Sequence, residues 1–141
     1  MRLRSFCIAL ILSSAIALSA CGGGGDSDNV SQTLQTYLAA LAQGNGKEAC
    51  DQMTGDQARR MLQEAAAFLP ELQPTSCADA LSKLGGSLGG EETEALESAE
   101  VTNMKIDGDS ATAELVGGTQ TAKLTKNGDL WLISGGIGIS P

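Results

Sequence analysis

Val30, Leu34, Tyr37, Leu38 and Leu41 fall at i, i+4, i+7, i+8 and i+11, the spacing of one apolar stripe along a helix. Asp28 or Asn29 suits its start and Gly44 its end. A short second helix is expected over 47–53, with Ala49, Cys50 and Met53 inward. Thr54 and Gln57 have the spacing of a capping box and open a third helix. Its inward set is Ala58, Met61, Leu62, Ala65 and Phe68 or Leu69, and Pro70 ends it. Ser76 and Asp79 cap a short fourth helix carrying Cys77, Ala80, Leu81 and Leu84. Residues 85–90 read as a loop. The acidic stretch Glu91, Glu92, Glu94, Glu97 and Glu100 reads as a solvated helix face or surface segment rather than as a metal site.

Beyond residue 100 the period shortens to two. Residues 100–106 form a first candidate strand, and Asp107-Gly108 signals a hairpin. In 110–116, Ala111, Ala113 and Leu115 share one face. Residues 119–125 alternate again, and Asn127-Gly128 signals a second hairpin. In 129–134, Trp131 and Ile133 share a face opposite Leu130 and Leu132. Helices first and four strands afterwards imply an α+β fold, with helices packed on one face of an antiparallel meander. Asp107-Gly108-Asp109 lacks the ligand series of a calcium loop and reads as a turn.

The segment before residue 30 has another character. Arg2 and Arg4 precede an apolar run from Phe6 to Leu18, which is short for a bilayer span of about 20 residues. Leu18-Ser19-Ala20-Cys21 follows, then four glycines. This segment resembles the signal and lipobox of bacterial lipoproteins. The resemblance implies cleavage before Cys21, a diacylglycerol thioether on that cysteine, and retention outside the cytoplasm by acyl chains such as palmitate. One chain binds reversibly and two or more hold stably. The expected organisation is a leader at 1–20, a lipidated cysteine with flexible tether at 21–29, and one α+β domain at 30–141. The glycine run has no preceding strand and no following Gly-Lys-Ser/Thr, so it is a linker rather than a phosphate loop.

Processing would remove 20 of 141 residues and leave 121, and loss of two arginines would move the net charge from −8 to −10. Such acidity repels phosphate backbones and argues against nucleic-acid binding. It also gives no basic patch for anionic lipid, so attachment rests on acyl insertion. Of four cysteines, Cys7 leaves with the leader and Cys21 takes the lipid. Cys50 and Cys77 remain, and in an oxidising compartment they are expected to pair. The alternative is two buried free thiols. With no histidine in the chain, two cysteines do not complete a zinc site, and no metal or cofactor is expected.

The domain resembles the NTF2-like (cystatin-like, curved-sheet cone) superfamily, especially its small bacterial lipoproteins. The likeness rests on the first helix ending in Ala42-Gln43-Gly44-Asn45-Gly46, on Lys47-Glu48-Ala49-Cys50, on Glu100-Val101 through Asp107-Gly108-Asp109, on Ala111-Thr112-Ala113-Glu114-Leu115 and on Leu130-Trp131-Leu132-Ile133. It covers residues 30–134. Many members carry a strand between the second and third helices, and none is evident here. The resemblance implies a pocket between the helices and the concave face of the sheet, which Tyr37, Met61, Phe68, Met104 and Trp131 would line. Enzymatic members place an Asp–His pair or acidic and tyrosine groups there. Absence of histidine removes the commonest general base. Tyr37 and Trp131 read first as core, and Asp51, Asp56 and Glu64 as solvated helix residues.

Two functions follow as expectations. The first is a non-enzymatic, membrane-anchored module that binds an envelope protein or other envelope component. The second is a carrier of a small apolar ligand, which a large apolar cavity would favour over a filled core. An enzyme is the weakest reading.

Overall fold

A computed structural model describes residues 25–115 and 120–139. The leader, Cys21, its neighbouring glycines, Val116 and Thr119 lie outside the described residues. Five helices precede four strands: α1 Asp26–Ala42, α2 Gly46–Asp51, α3 Gly55–Phe68, α4 Cys77–Ser87, α5 Gly90–Glu97, β1 Val101–Asp107, β2 Ser110–Leu115, β3 Thr121–Asn127 and β4 Leu130–Gly135. A single 3-10 turn, Pro70–Leu72, follows α3. The sheet is an antiparallel meander in the order β1-β2-β3-β4 and is not closed. α1 lies against β1 and β4, α3 against β4, and α5 against α1.

Local chemistry sets the helix starts. The Thr54 hydroxyl accepts the Gln57 N–H at 3.3 Å, and the Ser76 hydroxyl accepts the Asp79 N–H at 3.1 Å. The Asp79 carboxylate returns the contact by accepting the Thr75 N–H at 2.9 Å. The two hydroxyls each satisfy a donor that the first helical turn leaves open. α1 begins at Asp26 rather than at Val30, so Asp26 to Asn29 belong to the helix and not to a tether. Aspartates in its first turn suit the positive end of the helix dipole.

α4 runs through Gly85 and Gly86 to Ser87, where the sequence suggested a loop. Gly85 is there for approach rather than for a turn: a Cβ on it would lie 2.2 Å from the Leu41 carbonyl oxygen of α1. Both hairpins form at the expected places, with Gly108 and Gly128 left-handed at the first loop position. β1 carries a bulge between Thr102 and Lys105, with Asn103 at φ 48°. The extra residue keeps both Val101 and Met104 against the core, which strict alternation would forbid.

The core is built from α1, the inner faces of β2 to β4, and single residues of the other helices. Val30, Leu34, Met61, Leu81, Trp131 and Ile133 are its largest fully buried side chains. Each such aliphatic side chain contributes roughly 1.5–3 kcal/mol by leaving water. On α3 the inward residues are Gln57, Met61 and Ala65. Phe68 is 50 % exposed, contrary to the inward placement expected for it. It is the last residue of the helix, before Pro70 turns the chain away. Between α2 and α3, Met53 makes one parallel bridge to Ile133. Thr54 N–H donates to the Ile133 carbonyl at 2.9 Å, and Ile133 N–H to the Gln52 carbonyl at 2.8 Å. One residue is too little to leave a strand pattern in the sequence.

Candidate apolar cleft

The inner face of the sheet is narrow in side-chain bulk. Ala111, Ala113 and Ala122 are buried there, so the helices approach closely and Trp131 fills the remaining space. An apolar open volume lies to one side of the sheet. It is a cleft of about 420 Å³ bounded by Tyr37, Leu38 and Leu41 of α1, Met61 of α3, Leu84 of α4 with Leu88 beyond it, and Ala95 and Leu96 of α5. Leu115 at the end of β2 and Ile137 to Ile139 after β4 complete the wall. The size falls in the lower part of the roughly 300–1,000 Å³ range of small-molecule sites, and the lining is mostly apolar as such sites are.

The wall after β4 has no regular structure of its own, so side chains hold it. The buried Gln57 donates from Nε2 to the Ile137 carbonyl at 2.7 Å, and its Oε1 accepts from Arg60 Nη2 at 2.8 Å. The Glu64 carboxylate accepts the Ile139 N–H at 3.1 Å. Gln120 Nε2 donates to the Gly138 carbonyl at 3.1 Å. Three polar side chains thus present Ile137 and Ile139 to the cleft. Glu64, read as a solvated helix residue, is one of them. Of the other two acids read that way, Asp51 pairs with Lys47 at 2.7 Å, and Asp56 pairs with Arg59.

Tyr37 is 3 % exposed and lines the cleft. Burial pushes its phenol above the ordinary range, so the group is neutral. Its hydroxyl has no hydrogen-bond partner among the described residues and is not fully sealed from solvent, and the residue stands in the wall of the cleft. Among the described residues, Glu92 is the charged residue of the lining and Gln120 the amide.

Two of the five residues expected at a pocket, Tyr37 and Met61, meet there. The other three do not. Phe68 is half exposed outside it, and Met104 is partly buried against the core at the bulge of β1. Trp131 is fully buried and gives its indole N–H to Asp26 Oδ1 at 3.1 Å, away from the cleft. Sequence reading missed Leu84, Leu88, Leu96, Ile137 and Ile139. Ile137 and Ile139 alternate with glycine, a signal that was available. Ala95 and Leu96 are overshadowed by four glutamates in the same eight-residue helix.

Cys50 and Cys77 are joined in a disulfide, with Cα atoms 6.2 Å apart, tying the end of α2 to the start of α4. Among the described residues no His/Cys/Asp/Glu group is placed to hold a metal, and no helix is long and apolar enough to cross a membrane. No protein-family model, curated protein or solved structure matches the chain.

Proposed function

We propose that the protein is a lipid-anchored extracytoplasmic module that holds a small apolar ligand in the cleft between α1, α5 and the segment after β4. The observation that carries this reading is the cleft itself: about 420 Å³, lined mostly by leucine, isoleucine, methionine and alanine. A chain of this size gains stability by filling such a space. Leaving it open costs contacts that a ligand restores. Anchoring through Cys21 is supported by Leu18-Ser19-Ala20-Cys21. The Cys50–Cys77 disulfide supports an oxidising compartment. The order of helices before a meander supports the NTF2-like assignment, in which pockets between helices and sheet recur. Chemistry on the ligand is not part of the proposal, since the chain has no histidine and no catalytic motif.

The test uses N-phenyl-1-naphthylamine, a neutral apolar dye that brightens on leaving water. It is measured on the full chain carrying Cys21→Ser, so that no acyl chain competes for the cleft. The dye should bind with saturable brightening. Ala95→Trp, at an exposed position on the rim, should abolish the signal without lowering Tm. Absence of saturable binding, or binding indifferent to Ala95→Trp, refutes the reading.

A further inference from the structure

The Tyr37 hydroxyl narrows the chemistry of the ligand. It is the single tyrosine of the chain, buried on the apolar stripe of α1, and it lines the cleft without a hydrogen-bond partner among the described residues. A phenol O–H beside hydrocarbon with little access to water gains from an acceptor that reaches it. A free donor kept at the wall of an open cleft is a group waiting for an acceptor that arrives with the ligand.

The charges of the lining restrict that acceptor further. Among the described residues no lysine, arginine or histidine lines the cleft, and the charged residue that does is Glu92, an acid. A carboxylate or phosphate entering here would be desolvated beside hydrocarbon, with no cation to meet it and an acid at the rim. Tyr37 itself stays neutral, because burial holds its proton on. A neutral carbonyl oxygen fits all three facts: it accepts from the phenol, it needs no counter-charge, and it is cheap to desolvate.

We propose that the cleft takes a neutral, predominantly apolar molecule bearing a carbonyl oxygen, and that the Tyr37 hydroxyl donates to that oxygen. This inference rests on the cleft-binding reading above and specifies its ligand class.

The experiment is displacement of N-phenyl-1-naphthylamine by three probes of equal chain length: 2-decanone, decanoate and decylamine. The protein is again the full chain carrying Cys21→Ser. 2-Decanone should displace the dye at least tenfold more tightly than either charged probe. Tyr37→Phe should weaken 2-decanone by roughly threefold to tenfold, the worth of one hydrogen bond. Dye affinity is measured for the variant as well, so that displacement is compared on its own scale, and Tm should be unchanged or raised, since a merely structural tyrosine would lower Tm. The near-ultraviolet difference spectrum should show the tyrosine band moving to the red when 2-decanone binds. Equal displacement by decanoate or decylamine overturns the ligand class. So does 2-decanone affinity indifferent to Tyr37→Phe. In both cases dye binding blocked by Ala95→Trp leaves the cleft-binding reading standing. Failure of the dye itself to bind removes that reading and this inference together.

Discussion

Asp26 joins three parts of the molecule through one oxygen. Its Oδ1 accepts from Lys126 Nζ at 2.8 Å and from Trp131 Nε1 at 3.1 Å, and Lys126 lies 5.7 Å from the centre of the indole ring. The first turn of α1 is thereby fixed to β3 and β4. The hydrogen bond from Lys126, then that from Trp131, holds the Asp26 carboxyl below its ordinary value of 3.8. Folding therefore favours the ionised form. The stabilisation is complete above the ordinary value and is lost as pH falls through the depressed one. Lys126 is shifted upward by the same partner, so its part persists through neutral pH and fades only above the ordinary lysine value of 10.5. Denaturant unfolding of the parent and of Asp26→Asn should show the parent more stable across neutral pH. The gap should close in acid below the ordinary carboxyl value. A gap independent of pH down to strong acid would show that the charge of Asp26 does not matter.

At the scale of elements, the disulfide and the glycine contact organise the helices. Cys50 and Cys77 are 27 residues apart, and the loop they close contains all of α3. α3 supplies Met61 to the cleft and Gln57 and Glu64 to its far wall, so the crosslink limits how far that wall can stray when the chain unfolds. The double variant Cys50→Ala/Cys77→Ala should fold but lose about 2–4 kcal/mol by denaturant titration, from relaxed loop closure in the unfolded chain. Unchanged stability would mean that tertiary contacts alone hold α2 on α4. The bulge in β1 belongs to the same scale. Asn103 takes the left-handed conformation, which asparagine tolerates better than most residues, and its side-chain amide donates to Glu114 at 2.6 Å. Nothing in the alternation of 101–107 marks the bulge, because it is a correction of register against β2. The reach of α4 through Gly85 and Gly86 was hidden for a related reason. A glycine needed for close approach to α1 looks, in sequence, like a glycine needed for a turn.

At the scale of the whole molecule, the proposed anchor and the cleft act together. Lipid on Cys21 would confine the domain to a membrane surface, where apolar molecules concentrate by partition. A cleft that takes such molecules gains from that placement without any basic patch for lipid headgroups. Cys21→Ser should release the protein from the membrane fraction, unprocessed or secreted, as read by fractionation and electrophoretic mobility. If the variant fractionates and migrates like the parent, the anchor proposal fails, and the cleft is unaffected by that result.

Local pattern decided much of this protein before any contact was considered. The periods of 3.6 and 2 are set by which side chains share a face, so α1, α3 and the inner faces of β2 and β4 could be read from spacing alone. The caps at Thr54 and Ser76 and the two glycine hairpins are also short-range chemistry, carried by residues three apart or adjacent. The pairing of Cys50 with Cys77 could be read by counting, because export and lipidation would leave no other thiol. Tertiary structure decided where the apolar cleft lies. Ala111, Ala113 and Ala122 bring the helices down onto the sheet, Trp131 takes the space that remains, and Phe68 is turned outward at the end of α3. The cleft then opens among α1, α4, α5 and Ile137 to Ile139, segments distant in sequence. Cavities are differences between packed surfaces, so their place follows from how elements meet and not from the pattern of any one of them.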